Sequence, residues 1–195
     1  MSEKIVDAAL TRSEVLKQNP SRPCPKEILD KIKVLEVEYY SFDDKVHIGQ
    51  LAVHEDLAED IRGAFRLLLE DKFPVQSVIP VSAPMFAWDD SLSTEANNTS
   101  VFNYRYVRDS KDLSNHSTGR AIDINPKLNP YFPGAKVFPP HSSYNPNVPG
   151  TILSGSRLVK YFKRLGWRWG GDWDEDLDYQ HFEKPENYSA KTLIV

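Results

Sequence analysis

Apolar and polar positions alternate over residues 34–42 and again over 46–54, a period of two that predicts two strands, with Asp43-Asp44-Lys45 between them as the turn of a hairpin. The period then changes. Leu57, Ile61, Ala64, Phe65 and Leu68 recur three and four residues apart, so 55–72 predicts an amphipathic helix with its apolar stripe in the core. Upstream, residues 5–18 suit a shorter helix closed by Pro20 and the Pro23/Pro25 pair. Pro25 fits the first helical position before a second short helix over 26–32. Downstream, 75–81 predicts a strand and 83–99 a polar loop holding Trp88-Asp89-Asp90, of a length that often serves function. Strands are expected at 101–107 and 120–125. The stretch 126–150 is too rich in Pro and Asn for a regular element and is expected to be an ordered loop. A helix over 156–165 ended by Gly166, then strands at 167–170 and 179–183, close the chain.

This order predicts an α+β fold, a small antiparallel sheet flanked by helices, with any metal site at the sheet surface. Residues 1–33 are expected to be an N-terminal helical segment and linker, and 34–195 the catalytic domain. A chain of 195 residues with a hydrophobic fraction of 40% suits one unit with a real core. The net charge of −4 argues against a nucleic-acid partner, because that affinity rests on clustered Lys and Arg. A single cysteine, Cys24, excludes an internal disulfide framework. No apolar run approaches the roughly 20 residues needed for a membrane span, and residues 1–15 lack the apolar core of a secretory signal.

Chemistry concentrates in two places: Ser114-Asn115-His116-Ser117-Thr118-Gly119-Arg120-Ala121-Ile122-Asp123, and Asp178-Tyr179-Gln180-His181-Phe182-Glu183. Two imidazoles and a carboxylate, His116, Asp123 and His181, form the donor set of a catalytic zinc site, in which three protein ligands leave a position open for water. Gly119 permits a tight turn after His116, and a short strand then brings Asp123 back toward it. In a strict strand Asp178 and His181 would face opposite ways, so a turn or bulge at Tyr179-Gln180 is needed to bring both to one ion. Taken singly, each residue has a plainer reading: His116 a turn residue, Asp123 a solvated strand end, His181 a buried histidine with a hydrogen-bond partner.

Ser-x-His-x-x-Gly-x-Ala-x-Asp followed by Trp…Asp-x-x-His-Phe-Glu resembles the zinc D-Ala-D-Ala carboxypeptidase and L-alanyl-D-glutamate peptidase family. Residues 97–105, Ile124-Asn125-Pro126, Asn129-Pro130-Tyr131, Pro149-Gly150-Thr151 and 166–171 are similar to its carboxypeptidase-like branch, and the resemblance spans about residues 34–184. It implies Zn2+ as cofactor, His116, Asp123 and His181 as ligands, and Asp178 as general base, where many relatives carry Glu. It further implies action on peptidoglycan stem peptides or other D-Ala-D-Ala-containing peptides, as a D,D-carboxypeptidase. The alternatives are an L-alanyl-D-glutamate endopeptidase, as in endolysins, and a non-catalytic wall-binding or zinc-binding module.

Arg105 is the candidate partner for the oxyanion or for the substrate's carboxylate, with Arg108 and Arg120 as rivals and a surface ion pair as the plain alternative. Glu183 is expected to accept the second ring N–H of a ligating histidine. His47, His54 and His141 are expected to be ordinary histidines, and Trp167 and Trp169 packing residues. Trp173 is divided between packing and the cleft wall. A wall substrate without a visible export signal points to a cytoplasmic or phage-released protein unless a leader has been removed.

Overall fold

The computed structural model describes residues 4–108 and 110–186. Along the chain run β1 (Ile5–Val6), α1 (Arg12–Val15), α2 (Lys26–Leu29), β2 (Ile32–Tyr40), β3 (Val46–His54), α3 (Ala58–Glu70), β4 (Ser77–Val78), α4 (Asp90–Glu95), β5 (Asn98–Thr99), β6 (Ala121–Asp123), α5 (Arg157–Arg164), β7 (Arg168–Trp169) and β8 (His181–Glu183). The fold is α+β. Its strands are divided among three small sheets, ordered β1-β3-β2, β4-β5 and β6-β8-β7, rather than gathered in one antiparallel sheet.

The hairpin forms as its alternation predicts, with Ile32 opposite His54 and Tyr40 opposite Val46. The helix predicted over 55–72 begins with a 3-10 turn, Glu55–Leu57, and continues as α3. Ala58, Ile61, Ala64, Phe65 and Leu68 form its buried face. This face and Phe162 of α5 share one core with Val37, Leu51 and Phe182. Each fully buried Leu, Ile or Phe there contributes roughly 1.5–3 kcal/mol.

Four expectations need correction. Residues 5–18 are not one helix: the β-branched Ile5 and Val6 pair in parallel with His47 and Ile48. The helix starts only at Arg12, where Thr11 and Glu14 cap each other's backbone N–H. The strand expected over 75–81 is cut to Ser77–Val78, between Pro74 and Pro80, which cannot donate to a ladder. The polar loop at 83–99 contains α4 and β5; Asp89 starts α4 by accepting the N–H groups of Ser91 and Leu92 at 2.8 and 3.1 Å.

The strand expected over 101–107 does not form a ladder either. Its polar groups are taken by the turn carrying His116: Asn103 N–H donates to the His116 carbonyl at 3.1 Å, Arg105 N–H to Ser117 Oγ at 2.9 Å, and Ser114 N–H to the Arg105 carbonyl at 3.1 Å. The 126–150 stretch has no helix or strand. Val15 and Cys24, from the N-terminal segment, are buried with Ile32 and Ala52 of the hairpin and with Phe102. Among the described residues no helix is long and apolar enough to cross a membrane.

Candidate metal centre

Strand register builds half of the site. In the β6–β8 pair Asp123 stands opposite His181, Ile122 opposite Phe182 and Ala121 opposite Glu183. Because side chains alternate, Ile122 and Phe182 point into the core while Asp123 and His181 share the other face. A one-residue slip would turn Asp123 and His181 into the apolar core and the core pair toward the cleft. Asp123 is further fixed by backbone bonds exchanged with Ser100, at 2.9 and 3.1 Å.

The third side chain comes from a 3-10 turn, Asn115–Thr118, that Ser114 caps and Gly119 ends with φ of +68°. The turn is pinned to the hairpin where His54 N–H donates to the Gly119 carbonyl at 3.0 Å. A Cβ at Gly119 would lie 2.6 Å from that His54 nitrogen, so both the left-handed backbone and the close approach require glycine here.

His116, Asp123 and His181 are all buried, and their donor atoms converge. His116 Nε2 lies 3.3 Å from His181 Nδ1 and 3.1 Å from Asp123 Oδ2, and His181 Nδ1 lies 2.9 Å from Asp123 Oδ1. Ligands about 2.0–2.1 Å from a tetrahedral metal stand about 3.3 Å apart. Each imidazole nitrogen is near that spacing from the other and from one Asp123 oxygen, and the three residues could hold one metal ion. The far ring nitrogens are also provided for: His116 Nδ1 donates to the Val101 carbonyl at 2.6 Å, and His181 Nε2 lies 3.2 Å from Glu183 Oε2. Such outer acceptors orient ligating imidazoles. Glu183 is itself held by Asn115 and Arg168.

The charges are interlocked. Burial pushes the Asp123 carboxyl up, but the charges and hydrogen bonds of His116 and His181 prevail and hold it well below the usual carboxylate range. Burial opposes a charge on His181, yet the hydrogen bonds from Asp123 and Glu183 prevail and raise it to about 10. Burial likewise raises Glu183, and its bond to His181, with Asn115 and Arg168 beside it, brings it down to about 2. Two anionic carboxylates thus face the site from either side of His181, a setting that favours a cation.

Asp178 arrives by the turn at Tyr179–Gln180 that the sequence requires, with His181 N–H bonded to the Asp178 carbonyl at 3.2 Å. Its Oδ1 is shielded from solvent and has no hydrogen-bond partner among the described residues. Burial above all, and the neighbouring Asp123 charge, push this carboxyl up to about 7 against the opposing pull of His181, Gln180 and Arg105. A carboxyl poised near neutrality with one oxygen not spent on a partner can accept and return a proton.

The triad and Asp178 open into a cleft of about 200 Å3, walled by Trp173, Tyr131 and Phe138 among others. Trp173 belongs to the wall, its ring 5.7 Å from that of His181. Arg105 and Arg108 line this cleft and Arg120 does not. Arg120 is buried elsewhere, donating to Asp56 at 3.0 Å and close to His54, so it leaves the set of candidate substrate contacts. Arg105 Nε lies 3.0 Å from Asp90 Oδ1, and Arg108 stacks over Phe138 at 4.2 Å.

The remaining histidines are structural: His47 sits between Asp7 and Asp43 at 2.9 and 3.1 Å, and buried His54 accepts from Asp56 N–H at 3.2 Å. His141 is exposed and outside the cleft. Trp167 and Trp169 are packing residues, their indole N–H groups donating to Asp60 and to the Tyr179 carbonyl at 2.8 and 2.9 Å. Sequence reasoning missed Gln180, a buried cleft residue whose Oε1 has no partner among the described residues. It also missed Asp90; the N-cap at Asp89 was the available signal for that helix.

Residues 108–184 match a family model described as D-alanyl-D-alanine carboxypeptidase. No curated protein and no solved structure matches the chain. The matched stretch contains His116, Asp123, Asp178 and His181 and stops short of Arg105. It supports the resemblance drawn from the sequence and, at that level, a metallopeptidase.

Proposed function

We propose that the protein is a zinc-dependent hydrolase of peptidoglycan-type peptides containing D-amino acids, most simply a D-alanyl-D-alanine carboxypeptidase. One observation carries this reading: the buried donor atoms of His116, Asp123 and His181 all lie within 4.8 Å of one another, in the cleft that also holds Asp178, whose Oδ1 has no hydrogen-bond partner among the described residues. Two imidazoles and a carboxylate suit zinc. His116, Asp123 and His181 would hold such an ion, which would supply electrophilic assistance and lower the pKa of water from about 15.7 toward 7.

The protein's own groups do the rest. Asp178 takes the proton of the attacking water and delivers it to the leaving amine, so one carboxyl serves both transfers. Glu183 and the Val101 carbonyl keep the two imidazoles oriented. Arg105, whose charge acts on Asp178, faces the negative charge that develops at the reacting carbonyl. Trp173 shields the His181 ring on the cleft side. A binding module without catalysis would have no use for Asp178, whose buried, unpaired oxygen costs stability.

The test is to incubate the protein with a stem peptide ending in D-Ala-D-Ala, as free acid and as terminal amide, with and without a chelator, and to weigh the products. Release of D-Ala from the free acid that stops with the chelator, with release of D-alaninamide from the amide about ten- to hundredfold slower, fits a carboxypeptidase, because a carboxylate held by arginine is a charge-assisted contact. Equal cleavage of acid and amide, or cleavage at L-Ala-D-Glu, selects the endopeptidase instead. No chelator-sensitive cleavage of either bond removes the hydrolase reading.

A further inference from the structure

Beyond the Asp90–Arg105 pair the cleft continues into a second groove of about 380 Å3, and Asp90, Arg105 and Arg108 line both. One wall of this groove comes from the N-terminal segment, through Asn19 and Arg22; the other comes from Trp88, Tyr104 and Tyr106. These residues are distant in sequence, and the fold holds each in place. Gln18 closes the 18–24 loop by bonding both the Cys24 N–H and its carbonyl, at 2.7 and 3.0 Å. Arg22 N–H donates to the Asn19 carbonyl at 3.1 Å, and its guanidinium lies 4.8 Å over the Tyr106 ring. Trp88 packs edge-on against Phe102, and both Ala87 and Trp88 have positive φ, +47° and +69°. Two successive non-glycine residues in that region are strained, and such strain persists where surrounding structure enforces it, typically at binding and catalytic sites.

The groove's acids are already engaged, and of its three arginines only Arg105 is paired with one of them. Asp89 caps α4, and Asp90 is shared between Arg105 and the Asn103 amide. Among the described residues Arg22 and Arg108 have no carboxylate partner and rest only on aromatic faces. Exposed guanidinium groups beside Trp and Tyr side chains are the composition of surfaces that bind, and the unpaired sign is positive. We propose that this groove binds the part of the substrate peptide remote from the scissile bond and recognises a carboxylate on it, through Arg22 with the rings of Tyr106 and Trp88. The proposal rests on the peptidase reading for the identity of the ligand, and it gives the N-terminal segment a role in substrate selection.

Binding separates the two ideas. Zinc-loaded full-length protein carrying Asp178→Asn, which turns over slowly, is titrated calorimetrically with three peptides: a short one carrying the scissile bond, the same peptide extended by three residues with one carboxylate, and its carboxamide twin. Extensions are made on either side of the scissile bond in parallel. In one of these directions the carboxylate peptide should bind about tenfold or more tightly than the other two, a charge-assisted contact's worth, and adding Arg22→Glu or Tyr106→Ala should remove most of that gain. Equal affinity for acid and carboxamide in both directions overturns the proposal, as does a gain that survives Arg22→Glu or one that appears only when a sugar is attached to the peptide. Turnover of the short peptide by the unsubstituted protein is followed separately, and its absence counts against the peptidase reading alone.

Discussion

A methyl group on Gly170 would lie 2.5 Å from the carbonyl oxygen of Asp178 and 2.9 Å from its Cβ. The Gly170 carbonyl also accepts the Asp178 N–H at 3.0 Å, so the two backbones are in direct contact and neither can yield cheaply. Glycine at 170 therefore sets where the Asp178 carboxylate stands, although it does not itself line the cleft.

Gly170→Ala should displace Asp178 and leave the triad intact. The expected outcome is full metal content with kcat reduced roughly 10- to 100-fold, the scale of a misplacement of about an ångström in a reacting group. Metal analysis and steady-state kinetics on one preparation check this. A kcat within twofold of the unsubstituted protein would mean that Asp178 tolerates the shift or is not the reacting group.

Asp178→Asn isolates proton transfer from metal binding. The amide is nearly isosteric, so the variant should fold and keep its metal while activity falls by about 10² or more, the contribution of a general acid–base group. Near-normal turnover by this variant would move the base elsewhere in the cleft.

The same substitution has a pH signature in the metal-free protein. The Asp178 carboxyl is raised by burial from its ordinary value of 3.8 to about 7 in the fold. Between those values the folded state keeps a proton that the unfolded chain has lost, so this group makes stability fall as pH rises through that window. Asn cannot ionise, and the slope should flatten. Asp178→Asn should accordingly leave Tm little changed near pH 3.5 and raise it at pH 7.5, measured by thermal unfolding with chelator present. A Tm gain that is the same at both pH values would show that burial of this charge is not what costs stability.

Legibility in the sequence followed how local each signal was. The hairpin, α3 and α5 are written in periodicity and in caps such as Ser156, which accepts from Val159 N–H at 3.3 Å. His116, Asp123 and His181 were legible because each sits in a motif whose neighbours perform a local task, Gly119 turning the chain and Tyr179-Gln180 reversing it. The helix α4 was not legible: it has one apolar residue, Leu92, which is half exposed, and so no amphipathic stripe. The stretch 101–107 looked like a strand because its alternation is real, but its partners are Ser114, His116 and Ser117, a turn rather than a strand. Arg120 and Arg105 could not be told apart by position along the chain. Their difference is long-range: one meets Asp56, 64 residues away, and the other meets Asp90 at the cleft. The second groove has no sequence signature, because residues 19–22 and 88–106 are brought together by long-range packing, with Val15, Cys24 and Phe102 in one cluster and Arg22 over the Tyr106 ring.

Metal content per chain bears most directly on the whole account. Elemental analysis of the purified protein after zinc loading and desalting should find about one zinc per chain, and His116→Ala, Asp123→Ala and His181→Ala should each lose most of it, since two remaining ligands are an inadequate set. Asp178→Asn, measured beside them, should retain it. Full zinc occupancy in all three ligand variants, or none in the unsubstituted protein, would contradict the assignment of this site.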